Sequence, residues 1–324
     1  MEGYLRGYYG YKNFGDELLF FGVVRRIFEK YPLTKLFVEV GNTSWMEDRV
    51  WENYQWLLTE KQLKNIKFIN TKQHTYKRIT HMINFLWRGK YKKTFKFFGW
   101  WEVLSDERSF PHDGWNIPIL FNHSIKTWKF VLLWGIGKIR KSWTEKLYNY
   151  LLPKADKIVV RDRESLEIAK KLNPENTMLH QDFAQEIIMN AEFKIKNLPA
   201  GRQGSELKNK WKYIMININK QSVEKENIQK IIEFCVQYPD HKKIFFPCDM
   251  NDDRLCFSLI KKYISDIEMY DWTRHSLIDS LSLFFHADGG IWARLHFLLP
   301  LKLYDKPIVA IPYADKINKL IIKK

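Results

Sequence analysis

The amino-acid sequence predicts an α/β fold made of two Rossmann-like domains that face a cleft. Short apolar runs bounded by loops alternate with helical segments, and this pattern restarts near residue 213. A chain of 324 residues is long enough for each domain to bury a core of its own. Residues 195–208 concentrate turn-forming residues without a hydrophobic period, so we place the domains at 1–195 and 206–324.

The first half of the chain predicts strands and helices in alternation, which indicates a mainly parallel, doubly wound sheet. Its apolar runs are brief and β-rich, as buried parallel strands usually are. The strands are predicted at residues 4–8, 36–40, 66–69, 130–134 and 157–160. The helices are predicted at residues 16–31, 46–60, 75–86, 142–152 and 164–172.

The second half repeats the alternation and therefore predicts a second α/β domain. Gly289 and Gly290 predict a tight turn that leads into the last helix, and Asn251 or Asp252 is expected to cap the helix at 252–264. The strands are predicted at residues 213–218, 243–247, 267–270 and 307–311. The helices are predicted at residues 222–238, 252–264, 276–287 and 293–301.

The composition limits the partners and the compartment. With 53 basic and 37 acidic side chains, the net charge of +16 favours an anionic partner: a phosphorylated metabolite, a nucleic acid or an anionic lipid surface. No recognised nucleic-acid-binding module is present, so we expect no nucleic acid. Three cysteines without paired spacing predict a reducing compartment and no metal site. Without a signal peptide or a membrane-spanning apolar run, a cytoplasmic location is expected.

The glycine-punctuated loop at residues 7–15 precedes the first helix and has three possible interpretations. It lacks the Lys-Ser/Thr pair of a nucleotide-triphosphate loop. Its glycines do not match the dinucleotide fingerprint, although Glu39 stands where the ribose-binding acid would lie. The remaining functional interpretation is an anion or sugar site in which Asn13, Asp16 and Glu17 accept hydrogen bonds from hydroxyls. The structural alternative is that Asp16 only caps its helix.

A second candidate lies where the strand at 157–160 ends. This strand delivers Arg161 to the carboxyl edge of the sheet, where ligands collect in doubly wound folds. A planar guanidinium suits a carboxylate or a phosphate because it makes two charge-assisted hydrogen bonds at once. The structural alternative is that Arg161 and Asp162 form an ion pair at the strand end.

A third candidate follows the glycine pair in the second half. Arg294 and His296 lie within one turn of a predicted helix start. A cation and a titratable imidazole beside a positive helix terminus predict an anion site with an acid/base group. The structural alternative is that His296, next to Phe297 and Leu298, is a buried core residue.

These three motifs occur in an order that resembles the polysaccharide pyruvyl transferase family. They are Gly-Tyr-Tyr-Gly-Tyr-Lys-Asn-Phe-Gly-Asp-Glu at 7–17, Val-Arg-Asp-Arg-Glu-Ser at 160–165 and Ala-Arg-Leu-His at 293–296. The resemblance also includes residues 98–106, 133–137, 181–182 and 311–316, and so spans nearly the whole chain. It implies a fold similar to that of the B-type glycosyltransferases.

The resemblance also implies an enzyme of cell-surface polysaccharide biosynthesis. Such an enzyme uses phosphoenolpyruvate as co-substrate, with no cofactor, to place a pyruvyl ketal on a saccharide. Arg161 and Arg294 would hold the phosphate and carboxylate of phosphoenolpyruvate, and His296 would protonate the enol methylene. All three would converge on the cleft.

Five further residues are assigned to substrate binding. The first domain is expected to bind the acceptor and the second the donor. Asn13, Asp16 and Glu17 are placed with the acceptor by the family motif and their polarity. Gly290 would contribute an N–H donor to the phosphoenolpyruvate site. Asp162 is also expected to bind substrate.

The sequence departs from the family pattern at several positions. Trp100 and Trp101 replace part of a glycine run, and Trp292 stands where a small residue is usual. We expect an indole at 292 to strain a turn that favours positive φ. The chain also ends soon after residue 316, so the second domain is expected to be shortened at its C-terminus. Two other functions therefore stay open: a nucleotide-sugar glycosyltransferase of the same architecture, and a non-catalytic carbohydrate-binding relative.

Residues 85–101 interleave basic and aromatic side chains. This pattern suits peripheral contact with an anionic membrane that carries a lipid-linked saccharide acceptor, at the inner membrane face. The alternative is a cationic helix and a loop over the cleft.

Overall fold

A computed structural model of the chain describes residues 2–70, 94–99, 130–133, 142–197 and 212–311. The contacts divide the chain into two compact units. The first contains Met1–Tyr11 and Leu19–Phe183, and the second contains Lys12–Leu18 and Ala184–Lys324. The first helix, α1 (Phe14–Lys30), therefore begins in the second unit and continues in the first.

The first unit contains a seven-stranded parallel sheet with strand order β3-β2-β1-β4-β5-β6-β7. Its strands are β1 (Glu2–Arg6), β2 (Lys35–Val40), β3 (Ile66–Asn70), β4 (Thr94–Gly99), β5 (Phe130–Leu133), β6 (Lys157–Val160) and β7 (Thr177–Leu179). Its further helices are α2 (Thr43–Leu57), α3 (Glu60–Asn65), α4 (Ser142–Leu151) and α5 (Arg163–Leu172). This strand order is that of a Rossmann fold, in which the order reverses between β1 and β4.

The second unit contains a five-stranded parallel sheet with strand order β10-β9-β8-β11-β12. Its strands are β8 (Tyr213–Ile216), β9 (Lys242–Phe245), β10 (Ile267–Met269), β11 (Gly289–Trp292) and β12 (Ile308–Ala310). Its helices are α6 (Phe183–Lys196), which begins one residue before the unit, α7 (Lys225–Val236), α8 (Asp253–Ile260), α9 (Leu277–His286) and α10 (Leu295–Leu303). The strand order again reverses, between β8 and β11, so the predicted class of two Rossmann-like α/β domains is confirmed.

The structure corrects the prediction of a turn at Gly289 and Gly290. Both glycines lie in β11, whose neighbours are β8 and β12. Gly290 is needed there because a Cβ would lie 2.5 Å from Cδ1 of Leu301. The predicted strain at Trp292 is also wrong: this residue is fully buried in the strand, and positive φ occurs elsewhere among the described residues.

Strand β4 changes the interpretation of the basic and aromatic segment at 85–101. This strand lies between β1 and β5, its aromatic side chains Phe95, Phe97 and Phe98 are buried, and Lys96 is only 3% exposed. These residues form neither a cationic helix nor an aromatic membrane surface. The rest of this segment, with Trp100 and Trp101, lies outside the described residues. No described helix is long and apolar enough to cross a membrane.

Candidate active site

The second unit holds the first turn of α1, and Asn13 caps it. The Asn13 Oδ1 accepts hydrogen bonds from the backbone N–H groups of Gly15 at 3.1 Å and Asp16 at 3.3 Å. The Asn13 amide donates to Oδ2 of Asp249 at 3.3 Å. The cap is therefore Asn13 and not Asp16, which corrects the structural alternative. Asp16 and Glu17 follow in the first turn, where both are buried.

Backbone and ring contacts fix this helix start within the second unit. The Phe14 N–H donates to the Cys248 carbonyl at 2.7 Å, and the Lys12 carbonyl accepts from the Met250 N–H at 3.1 Å. Cys248 and Met250 lie in the loop that follows β9. The start of α1 therefore lies at the carboxyl edge of the sheet in the second unit. The Phe14 ring also contacts Phe246, Trp272 and Phe284.

His296 packs directly against this helix start. It is the second residue of α10 and is only 5% exposed. A Cβ on Gly15 would overlap Nδ1 of His296 and lie 2.5 Å from its Cγ. The imidazole therefore occupies space that opens only because residue 15 has no side chain. The structure brings His296 together with the segment that contains Asn13, Asp16 and Glu17.

This contact predicts the effect of Gly15→Ala. In a helix, alanine is about 1 kcal/mol more favourable than glycine, so propensity alone would stabilise the variant. The clash with His296 should outweigh this gain, because overpacking costs about 1–3 kcal/mol. We expect a net loss of stability in chemical denaturation. Gly289→Ala is the milder comparison: its Cβ would lie 3.1 Å from the Pro307 carbonyl oxygen, a tight contact without overlap, so its loss of stability should be smaller. A stabilised Gly15→Ala protein would contradict the packing described here.

Arg294 precedes α10 and is held by a buried carboxylate. Its Nε lies 3.0 Å from Oδ1 of Asp253, and its Nη2 lies 2.7 Å from the same oxygen. Asp253 is 0% exposed, whereas Asp252, 3.9 Å from Nη2, is mostly exposed. The charge of Arg294 is thus compensated, and one edge of its guanidinium is occupied.

Asp253 is the centre of a hydrogen-bond network that the sequence pattern did not predict. Its Oδ2 accepts from the Asn217 amide at 3.0 Å and from the Asp249 N–H at 3.1 Å. Burial raises the pKa of the Asp253 carboxyl, and Arg294 opposes this shift. Asn217 directly follows β8, and Arg294 follows β11, so both lie at the point where the strand order reverses. In the sequence, this network could have been found from the polar residues that follow apolar strands, because ligands bind at the carboxyl ends of such strands.

The structure corrects the predicted role of Gly290. Its N–H donates to the Pro307 carbonyl at 3.0 Å within the sheet. This donor is therefore not available to a substrate anion. Asp252 stands at the N-cap position of α8, as predicted, but its side chain makes no capping hydrogen bond. Instead, Oδ1 of Asp249 accepts from the N–H groups of Asn251 and Asp252.

Arg161 and Asp162 belong to the first unit. Arg161 follows β6, as predicted, and its Nη1 lies 3.5 Å from Oδ2 of Asp182. The predicted ion pair with Asp162 is wrong, because Asp162 caps α5 by accepting from the Ser165 N–H at 2.8 Å. Glu39, which stands where a ribose-binding acid would lie, pairs with Arg6 at 3.3 Å.

The arrangement in the second unit suits acid/base chemistry on a polar substrate. It combines a buried imidazole, a polar helix start and an oriented guanidinium at the carboxyl edge of a parallel sheet. Within the described ranges, no group of three or more His, Cys, Asp or Glu side chains is placed to hold a metal ion.

Comparison with solved structures defines the class of protein. UDP-GlcNAc 2-epimerase from Neisseria meningitidis has a TM-score of 0.64 and 10% identity, over 96% of this chain and 82% of that one. The corresponding enzyme from Rickettsia bellii has a TM-score of 0.58 and 12% identity, over 95% and 78%. A glycosyltransferase from Rickettsia africae has a TM-score of 0.52 and 12% identity, over 100% and 82%. The fold is therefore that of B-type glycosyltransferases and related epimerases.

The sequence identifies the family more narrowly. The model of the polysaccharide pyruvyl transferase family matches residues 13–313, and the chain belongs to this family. No individually curated protein matches it significantly.

Proposed function

We propose that the protein transfers a pyruvyl group from phosphoenolpyruvate to two hydroxyls of a saccharide, forming a ketal in cell-surface polysaccharide biosynthesis. The observation that carries the proposal is the packing of His296 against the helix start that contains Asn13, Asp16 and Glu17. It joins two segments that are about 280 residues apart in the chain and that both lie within the residues matched by the family model. An imidazole next to hydrogen-bond acceptors suits proton transfer during addition of a hydroxyl.

The proposed reaction has two stages. A saccharide hydroxyl adds to C2 of phosphoenolpyruvate and loses its proton to solvent, while a proton from His296 is transferred to C3, which converts the methylene to a methyl group. The C2–O bond to phosphate then breaks, and a second hydroxyl attacks C2. Its proton leaves with phosphate or solvent. The products are one ketal and one inorganic phosphate.

His296 supplies the proton to C3 in this scheme. Asp16 and Glu17 lie in the first turn of α1, where acidic side chains are favoured by the helix dipole. Their carboxylates would accept hydrogen bonds from the saccharide hydroxyls and orient them. Arg294, oriented by Asp253, would hold the phosphate or the carboxylate of phosphoenolpyruvate.

Arg161 remains a predicted ligand of phosphoenolpyruvate. Arg161→Lys keeps the positive charge but loses the planar fork, so the KM for phosphoenolpyruvate should rise about tenfold. Steady-state phosphate release measures this change. Arg163→Lys is the control, because Arg163 is the neighbouring arginine in the first turn of α5. An unchanged KM in Arg161→Lys would exclude a bidentate contact.

The function is tested by incubating the protein with phosphoenolpyruvate and a panel of hexose and N-acetylhexosamine oligosaccharides. We expect saccharide-dependent release of phosphate and a product whose mass corresponds to one added pyruvyl ketal. Protection of the fold by a nucleotide diphosphate sugar, without phosphate release, would favour a glycosyltransferase. Saccharide binding without any turnover would favour a non-catalytic carbohydrate-binding protein.

A lipid-linked acceptor and peripheral contact with the inner membrane face also remain predictions. Their support is the net charge of +16. Flotation with anionic and neutral vesicles tests them, and equal behaviour with both would exclude the electrostatic contact.

A further inference from the structure

Two tyrosines of the opening glycine loop form a stacked pair in the first unit. The ring centroids of Tyr8 and Tyr11 are 4.0 Å apart, and the ring planes differ by only 9°. Tyr8 retains 37% of its surface exposed. A partly exposed aromatic ring whose orientation is fixed by a stack can offer a surface to a ligand.

The backbone around the stack fixes its position. Tyr11 lies against Gly41, where a Cβ would approach the ring to 2.6 Å. The Gly41 N–H donates to the Tyr9 carbonyl at 2.8 Å, and Gly10 turns the loop with a φ of 75°. This φ favours glycine. The Tyr11 ring of the stack therefore packs against the backbone at Gly41, where there is no room for a side chain.

The stack follows β1 and lies against the end of β2, at the carboxyl edge of the sheet in the first unit. Among the described residues, Arg6 and Glu39 of the two adjoining strands form an ion pair at 3.3 Å, and Glu39 also accepts a hydrogen bond from the Tyr4 hydroxyl. An aromatic surface next to compensated charges suits a neutral ligand better than a phosphate-bearing one.

We propose that the exposed Tyr8 ring, backed by Tyr11 and Gly41, is a stacking platform for one pyranose ring of the saccharide acceptor. This inference rests on the proposed function, because it assigns a subsite to the same acceptor. The apolar C–H face of a pyranose would lie on Tyr8, and its hydroxyls would point away from the ring. The platform binds and positions the sugar and takes no part in proton transfer.

Saccharide binding tests the platform independently of turnover. Saturation-transfer NMR with the oligosaccharide panel should detect saccharide binding by the parent protein. In Tyr8→Ala the saccharide affinity should be about tenfold lower, as expected for the loss of one stacking contact. Tyr8→Phe, which retains the ring, should bind like the parent protein. Trp51→Ala is the control, since it removes another aromatic side chain that is 66% exposed.

Three results would overturn the platform: unchanged saccharide affinity in Tyr8→Ala, no saccharide binding by the parent protein, or binding of uridine monophosphate to Tyr8 in place of the saccharide. Where turnover is measurable, Tyr8→Ala should raise the KM for saccharide and leave the KM for phosphoenolpyruvate unchanged. Saccharide binding that needs Tyr8, without phosphate release, would support the platform and reject the pyruvyl transfer.

Discussion

Replacement of His296 by glutamine should lower turnover by about 10²–10⁴-fold, the usual contribution of a positioned proton donor. Glutamine fills similar space against Gly15 and keeps a polar end, but it cannot donate a proton to carbon at neutral pH. The fold should therefore survive with a stability change within about 1 kcal/mol. Steady-state phosphate release in the presence of saccharide measures the effect, with denaturation curves as a check on folding.

His241→Gln is the matched control for this variant. His241 directly precedes β9, at the amino edge of the same sheet, and its Nε2 lies 3.4 Å from Oδ2 of Asp288. Its replacement should leave turnover unchanged. Equal turnover of the His296→Gln and parent proteins would exclude His296 as the proton donor, even if the protein transfers pyruvyl groups.

Replacement of Asp253 by alanine should destabilise the protein by about 3–5 kcal/mol, because it leaves the Arg294 guanidinium without its buried partner. The lower part of this range is expected, since 21% of the Arg294 side chain remains exposed. The Asn217 amide and the Asp249 N–H lose the same acceptor. Turnover should also fall in the protein that remains folded, because Arg294 loses its fixed orientation.

Asp252→Ala is the control for the buried pair. It removes a carboxylate 3.9 Å from the same guanidinium, but 59% of the Asp252 side chain is exposed. An exposed pair contributes at most about 1 kcal/mol, so this variant should be close to the parent in chemical denaturation. Equal destabilisation by the two substitutions would show that burial of Asp253 does not determine the energetics of the pair.

The sequence pattern predicted most of the described elements, and two of its failures have clear physical causes. Gly289 and Gly290 were interpreted as a turn because paired glycines usually break regular structure. The structure instead uses Gly290 as a strand residue with no side chain, next to Leu301. Strand β4 was missed because its phenylalanines alternate with Lys96, whose burial in the sheet the composition does not suggest.

The candidate site was predictable only as separate motifs. Asn13, Asp16, Glu17 and His296 were identified from local pattern and family resemblance, whereas their grouping in one unit required the fold. Asp253 was not predicted as a site residue because an acidic residue at the start of a helix usually does no more than interact favourably with the helix dipole. Its partner Arg294 lies 41 residues further along the chain, so no local spacing links them.

The most direct test of the account is the reaction of phosphoenolpyruvate with a saccharide acceptor in deuterated water, analysed by NMR and mass spectrometry of the saccharide. If His296 delivers a solvent-derived proton to C3, the product ketal should carry a singly deuterated methyl group. The His296→Gln protein should form little or no such ketal. A saccharide recovered unmodified while phosphate is released, or a labelled ketal formed at the same rate by His296→Gln, would contradict the account.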